Sequence, residues 1–262
     1  MKKINEKKNI LVNINKGYVK HFLTTMNSLS VNNPKSEFDV YVMHSNLEDD
    51  DKEYIKTKVA SNIHPIYIYM DKSLFKGAPK VKRYPYEIYY RIFAPIMLPK
   101  ELDKVLYIDC DLVVHKNIDP LYNLSFQGNY FVACTQIRSF LQWFNRIRLT
   151  CGRKHFYVNT GVMLINLKEL RDVINVDDIF KFIKRNGWRM ALYDQDVIFK
   201  FFGDKIRDKE NIKKTGMFAA ITTAILGLFG IIITLGTFGE DLLPTLSQPF
   251  FMALKVINLF GV

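Results

Sequence analysis

The first 70 residues alternate between two kinds of local pattern. Residues 9–14 (NILVNI), 38–44 (FDVYVMH) and 63–70 (IHPIYIYM) are short apolar runs, rich in β-branched and aromatic side chains, of strand type. Between them, residues 21–29 carry Phe22, Leu23, Met26 and Leu29 at the spacing of a helix face. Residues 48–60 are charged and helical in period, with Asp49 to Asp51 in the first turn, where a helix N-terminus favours anions. A strand-helix-strand-helix-strand order implies a parallel sheet with helices packed on both of its faces.

The same grammar runs on. Residues 79–85 read as a basic loop and 86–99 as an aromatic-rich helix closed by Pro99. Residues 104–115 (KVLYIDCDLVVH) are the most strand-like run, and 131–135 and 157–166 (YVNTGVMLIN) are further strands. Residues 167–187 and 191–202 read as helices. The expectation is an α/β, Rossmann-like fold.

Charge separates this body from the C-terminal residues. The 262 residues carry a net charge of +11, but residues 1–216 hold 36 of the 37 Lys and Arg. Between Lys214 and Glu240 lie 25 residues without a charge, enough to span a hydrocarbon core of about 30 Å. Lys205, Arg207, Lys209, Lys213 and Lys214 precede this run, an excess that keeps the N-terminal side in the cytoplasm. Gly227, Gly230, Gly236 and Gly239 suit a membrane helix better than a soluble one. The domain reading is therefore a catalytic-type body over 1–205, a basic linker over 206–216, a transmembrane helix over 217–239 and an apolar tail over 240–262. A buried core helix, or fused or out-of-frame sequence, is the competing account of the tail.

Composition narrows the partners. At 48% hydrophobic and 24% charged, the chain as a whole is not disordered. The basic residues are dispersed, with no zinc-finger spacing, basic heptad or RNP-like run, so nucleic acid is not expected as a partner. Cys110, Cys134 and Cys151 are an odd set without paired spacing, which argues against a disulfide framework or a Cys-based zinc site. The start lacks the apolar run of a secretory signal, so the body is expected at the cytoplasmic face of the cell membrane.

Four constellations can carry chemistry. Asp109 and Asp111 flank Cys110 at the end of the apolar run 105–108, and strand alternation would put both carboxylates on one side. Such a pair can share one hard divalent cation, Mn²⁺ or Mg²⁺, that keeps positions open for phosphate oxygens. The bland alternative is a turn or a solvated pair. Asn159, Thr160 and Gly161 are small or amide residues that let the backbone approach a polar ligand, or else mark a bulge in a core strand. Asp194, Gln195 and Asp196 open a helix, either to cap it or to present a carboxylate and an amide to a substrate. Arg91, after Tyr89 and Tyr90, could take a phosphate or a surface ion pair.

Together these stretches resemble glycosyltransferase family 8, retaining enzymes of the lipopolysaccharide galactosyltransferase and glycogenin type. The resemblance rests on NILVNINKGYVKHFLTTMNSL, RYPYEIYYRIFAPIMLPKELDKVLYIDCDLVV, YVNTGVMLINLKELR and LYDQDVIF, in the family's order, over about residues 9–205. It implies a GT-A-type fold with a mixed, mostly parallel sheet that takes UDP-glucose or UDP-galactose with Mn²⁺ (or Mg²⁺). It implies that Asp109 and Asp111 hold the metal and the diphosphate, and that Tyr18 stacks on uracil. Asn15 would stand at the uridine contact, and Arg91 at the donor phosphate or sugar. Asn159 and Gly161 would line the sugar, while Asp194 and Gln195 would flank the anomeric carbon. Gln136 and the basic residues 80–83 are acceptor-side candidates, for a glycan, glycolipid or glycoprotein acceptor.

Two departures stand out. Asn15 replaces the family's usual Asp, and no histidine follows His155, so the family's late His-x-x-Gly-x-x-Lys-Pro-Trp segment is absent from this sequence. A UDP-sugar-binding remnant, inactive or truncated, is therefore one alternative. A haloacid-dehalogenase-like phosphatase with Asp109 as nucleophile is another, although its motif normally closes the first strand of a domain.

Overall fold

A computed structural model describes residues 7–71, 73, 87–134 and 139–208. They build one seven-stranded sheet. Its strands are β1 (Lys7–Asn13), β2 (Glu37–His44), β3 (Ile63–Tyr69), β4 (Lys104–Ile108), β5 (Phe131–Cys134), β6 (Asn159–Asn166) and β7 (Ile206–Asp208). The spatial order is β3-β2-β1-β4-β6-β5-β7. The first four strands in that order are parallel, β6 runs antiparallel to both β4 and β5, and β7 is parallel to β5. The sheet is thus mixed, as expected, and residues 206–208, read from sequence as linker, form its last strand.

Alternation along each strand divides the core in two. Ile10, Val12, Val40, Leu106 and Ile108 face α1 (Val19–Asn32) and α2 (Asp49–Lys58), where Phe22, Met26, Leu29 and Ile55 meet them. Leu11, Tyr41, Val105, Tyr107 and Met163 face the other way. There they join α7 (Leu167–Arg171), α8 (Val176–Asn186) and α9 (Tyr193–Phe202) through Leu170, Ile179, Ile183, Val197 and Phe199. Burial on both faces is why the central strands read as continuous apolar runs.

Three sequence expectations are corrected. The strand read over 104–115 stops at Ile108, and Asp109-Cys110-Asp111 enters a turn. The backbone beyond finds its partners on α1 instead of on a strand. The Thr25 hydroxyl lies 2.8 Å from the Cys110 carbonyl and 2.7 Å from that of Leu112. Val114 N–H donates to Ser28 Oγ at 2.9 Å, and Asn32 Nδ2 donates to the Val114 carbonyl at 2.8 Å. Residues 25, 28 and 32 share one helix face, so a polar stripe of α1 replaces a sheet neighbour.

The helix read over 86–99 is broken into α3 (Glu87–Tyr90), a 3₁₀ turn over Arg91–Phe93 and α4 (Ala94–Met97). Pro95 has no N–H for the Arg91 carbonyl, which accepts from Ala94 instead. The helix read over 167–187 parts between α7 and α8, where Asn175 caps the second piece by accepting from Asp178 N–H at 3.2 Å. Two further helices, α5 (Asp119–Tyr122) and α6 (Ser139–Leu149), fall where no helix was read.

No helix among the described residues is long and apolar enough to cross a membrane. The tail read as transmembrane, the loop over 80–83 and Gln136 lie outside the described residues.

Thr25 is fully buried, so Thr25→Val keeps its shape and strips the turn's donor. The variant is expected to lose about 1–3 kcal/mol in urea unfolding, the cost of an unsatisfied buried carbonyl.

Candidate active site

The chain order reverses direction between β1 and β4, which sit side by side and parallel. Open α/β sheets bind ligands beyond the strand C-termini at such a switch point. Two loops meet there, residues 14–18 after β1 and residues 109–111 after β4. Because β6 is antiparallel to β4, its first residues reach the same end of the sheet. The pairing Ile108↔Val162 and the bond from Asp109 N–H to the Gly161 carbonyl at 2.8 Å set that register.

Arg91 is the hub. Its Nη2 lies 3.1 Å from Asp109 Oδ1 and its Nη1 lies 3.2 Å from Asp194 Oδ2. The same Nη1 donates to the Thr160 carbonyl at 2.9 Å, and the Thr160 hydroxyl donates to Asp194 Oδ2 at 2.7 Å. The guanidinium also stacks on the Tyr107 ring, 4.3 Å from its centroid. Burial opposes its charge, yet Asp109, Asp194 and Asp111 hold its pKa above the ordinary arginine value. Arg91 Nε is buried and bonds to nothing among the described residues.

Asp109 is held from two sides at one oxygen. The Tyr107 hydroxyl donates to Oδ1 at 2.5 Å, and burial keeps that phenol protonated well above its usual range. Asp109 Oδ2 has no hydrogen-bond partner among the described residues and faces Gly161, where a Cβ would come within 2.9 Å of it. Burial pushes the Asp109 carboxyl up to about 6, Arg91 pulls it down, and Asp111 raises it further. The carboxylate therefore lacks full compensation, which an added cation would supply.

The donor set here is all oxygen, as a hard divalent cation requires. Among the described residues no group of three His, Cys, Asp or Glu side chains is poised to hold a metal. Carboxylates such as those of Asp109 and Asp111 are the ligand type such a cation takes, together with water or phosphate oxygens.

The other sequence candidates divide. Asn159 opens β6 and its Oδ1 accepts from Gly161 N–H at 2.7 Å, which bends the strand start against Asp109. Gly161 is required there because a side chain would meet both Asp109 Oδ2 and Asn159 Oδ1. Asn15 and Tyr18 bracket the 3₁₀ turn after β1, and the half-exposed Tyr18 ring packs on His21 with centroids 5.0 Å apart. They share the sheet end with the Arg91 cluster without bonding to it. Gln195 is half-buried in the first turn of α9, with its amide unbonded among the described residues.

The two aspartates around Gln195 go separate ways. Asp194 joins Arg91, whereas Asp196 is fully buried in a second ion pair. Arg148 Nη2 lies 2.6 Å from Asp196 Oδ1 and its Nη1 donates to Oδ2 at 2.8 Å. The Tyr157 hydroxyl and Ala191 N–H, each at 2.7 Å, complete the shell. The start of α9 is thereby clamped on both sides of Gln195. Sequence reading placed Thr160 and Asp196 in their triplets without a partner for either, and it missed Tyr107, Arg148 and the role of Tyr157. Tyr107 lies two residues before Asp109, so strand alternation could have found it; Arg148 and Asp196 are 48 residues apart and leave no local signal.

Fold and site together define a Rossmann-like α/β protein whose buried charge cluster sits where such sheets hold nucleotide ligands. The chain belongs to the family described as Glycosyl transferase family 8, whose sequence model matches residues 9–210. Among its relatives, General stress protein A of Bacillus subtilis is 25% identical over 69% of this chain and 64% of its own length. Lipopolysaccharide 1,2-glucosyltransferase of Escherichia coli is 28% identical over 74% of this chain and 58% of its own length. The solved structure of galactosyltransferase LgtC with donor and acceptor sugar analogues superposes with a TM-score of 0.69, at 20% identity, over 76% of this chain and 72% of that one. The chain thus spans less than two thirds of the length of these two curated relatives. The family assignment displaces the phosphatase alternative, and Asp109 follows the fourth strand in the chain, not the first.

Two variants test the geometry. Gly161→Ala should destabilise the fold by about 1–3 kcal/mol in urea unfolding, because its Cβ overpacks against Asp109. Arg148→Met leaves Asp196 buried without a counter-charge and should cost about 3–5 kcal/mol on the same scale.

Proposed function

We propose that the protein is a metal-dependent retaining glycosyltransferase that moves glucose or galactose from a UDP-sugar to a glycan, glycolipid or glycoprotein acceptor. The observation that carries this reading is the Arg91 cluster. Residues from β4, β6, α9 and the 3₁₀ turn converge on one charged site at the switch point, within a family of glycosyl transferases. The relatives with lipopolysaccharide glucosyltransferase and galactosyltransferase names support the sugar and acceptor classes.

In this reading Asp109 and Asp111 hold Mn²⁺ or Mg²⁺, which supplies positive charge for the diphosphate leaving group. Arg91 keeps Asp109 and Asp194 fixed and adds a permanent cation behind the phosphates. Asn15 and Tyr18 receive the uridine, with the Tyr18 ring available for stacking. Asn159 and Gly161 line the sugar, with the missing Cβ of Gly161 leaving room for the Asp109 carboxylate beside it. Asp194 and Gln195 flank the anomeric carbon, and the unbonded Gln195 amide can both donate and accept there. The acceptor oxygen bonds to C1 on the face that the diphosphate leaves, its proton passes to the departing phosphate oxygen, and configuration is retained.

We further propose that residues 217–239 anchor the body at the cytoplasmic face of the membrane, on the strength of their length and the preceding lysines and arginines.

UDP release from UDP-glucose or UDP-galactose with Mn²⁺ is the expected activity, and Asp109→Asn should lower it by roughly a hundredfold or more. Release of phosphate from p-nitrophenyl phosphate without UDP-sugar turnover would overturn the reading; UDP binding without turnover would favour the inactive remnant. The pH dependence has a definite sign. With the Asp109 carboxyl raised from 3.8 to about 6, the metal-free fold loses stability as pH rises across that window. Cation binding runs the opposite way, since only the ionised carboxyl is a ligand. Mn²⁺ affinity should fall by roughly tenfold per pH unit below that point in a titration, and Asp109→Asn should remove the dependence.

A further inference from the structure

Helix α6 is turned inside out. Its inner face holds Gln142 and Asn145 beside a single core residue, Leu149: Gln142 is buried and bonds both ways to the Tyr157 backbone, donating to the carbonyl at 2.6 Å and accepting from the N–H at 2.8 Å. Arg148, from the last turn, holds Asp196. These anchors fix the helix about its axis. Its outer face carries Phe140, Trp143, Phe144 and Ile147, at the i, i+3, i+4, i+7 spacing that a helix ordinarily turns toward a core. They are exposed by 67%, 55%, 47% and 58%. Single exposed apolar side chains need no explanation, but a stripe of four held outward by a polar inner face does.

The sequence segment that carries this stripe is basic, although its Arg148 is paired with Asp196. Residues 120–168 contain six Lys and Arg and no Asp or Glu. Arg153 and Lys154 are exposed just past the helix end, and Trp188, 86% exposed, sits in the 3₁₀ turn whose Arg189 carbonyl accepts from Arg148 at 2.7 Å. Tryptophan, phenylalanine and basic side chains on one surface are what a bilayer interface takes. The chain also continues toward its uncharged segment from Asp208, which pairs with Ala133, one residue short of the end of the strand that precedes α6. Strands β5 and β7 are parallel, so both end at the same end of the sheet.

We propose that the outer face of α6 docks on an anionic lipid bilayer, with Phe140, Trp143, Phe144 and Ile147 seated at the headgroup boundary. An anionic leaflet supplies the counter-charge that the protein's own tail lacks, since residues 217–262 offer only Glu240 and Asp241. The proposal borrows from the membrane-anchor reading only the side on which the bilayer lies, and it does not depend on glycosyl transfer.

Trp143 and Trp188 are the two tryptophans of the chain, so the full-length Trp188→Phe variant reports on α6 alone. With vesicles of phosphatidylethanolamine and phosphatidylglycerol, Trp143 emission should shift to the blue and be quenched by lipids brominated on the upper acyl chain. Vesicles of phosphatidylcholine alone should give a weaker shift. Adding Phe140→Ser and Phe144→Ser should reduce the quenching by roughly tenfold at the same lipid concentration. Vesicle co-sedimentation with unshifted, unquenched Trp143 would overturn the proposal and leave the tail as anchor, as would a failure to bind vesicles at all. Trp143 already shielded from acrylamide without lipid would also overturn it, in favour of the tail if independent of protein concentration and of a second copy if not. UDP-sugar turnover is read separately and is expected to persist in the Phe140→Ser, Phe144→Ser variant with a soluble acceptor.

Discussion

A guanidinium in the protein interior is tolerable only while carboxylates stand against it, and Arg91 meets that condition with partners from three directions. Asp109 comes from the end of β4, Asp194 from the start of α9 and Thr160 from the start of β6. Removing either carboxylate would leave a buried charge short of compensation, so the ends of these elements are locked to one another. The same cluster leaves Asp109 Oδ2, against Gly161, and the Gln195 amide unbonded among the described residues. One set of charges therefore both closes the fold at this end of the sheet and defines what the opening can bind.

The antiparallel strand makes this possible. In a purely parallel sheet the start of β6 would lie at the opposite end from the Asp109 turn. Its reversal brings Asn159, Thr160 and Gly161 beside Asp109, and Gly161 lets the two backbones approach without a Cβ between the carboxylate and the strand. The paired Arg148 and Asp196 then brace α9 from behind, and through them α6 is tied to the same helix that carries Asp194 and Gln195.

How much of this could be read beforehand depends on which signals are local. The runs at 9–14 and 38–44 are visible because both their faces are largely buried, and the edge strand at 63–70 is visible by its β-branched and aromatic side chains. Asp109, Asp111 and the Asp194–Asp196 triple are visible as spacings. The apolar stretch at 112–114 misleads, because its backbone partners are Thr25, Ser28 and Asn32 on α1, far away in sequence. Arg91 can be read as a phosphate ligand or an ion-pair member, and only the tertiary structure shows two carboxylates on it. Helix α6 is not read as a helix from the sequence, and the outward turn of its apolar stripe is set by the distant partners of Gln142 and Arg148.

In the proposed function the Arg91-centred cluster forms a cation-dependent nucleotide-sugar site. Calorimetric titration of UDP into the full chain, with and without Mn²⁺, tests it most directly when repeated on Arg91→Lys, which keeps a charge but loses the two-pronged geometry. UDP binding is expected to require Mn²⁺ and to weaken by roughly tenfold or more in the variant. UDP affinity indifferent to both Mn²⁺ and the substitution would contradict it.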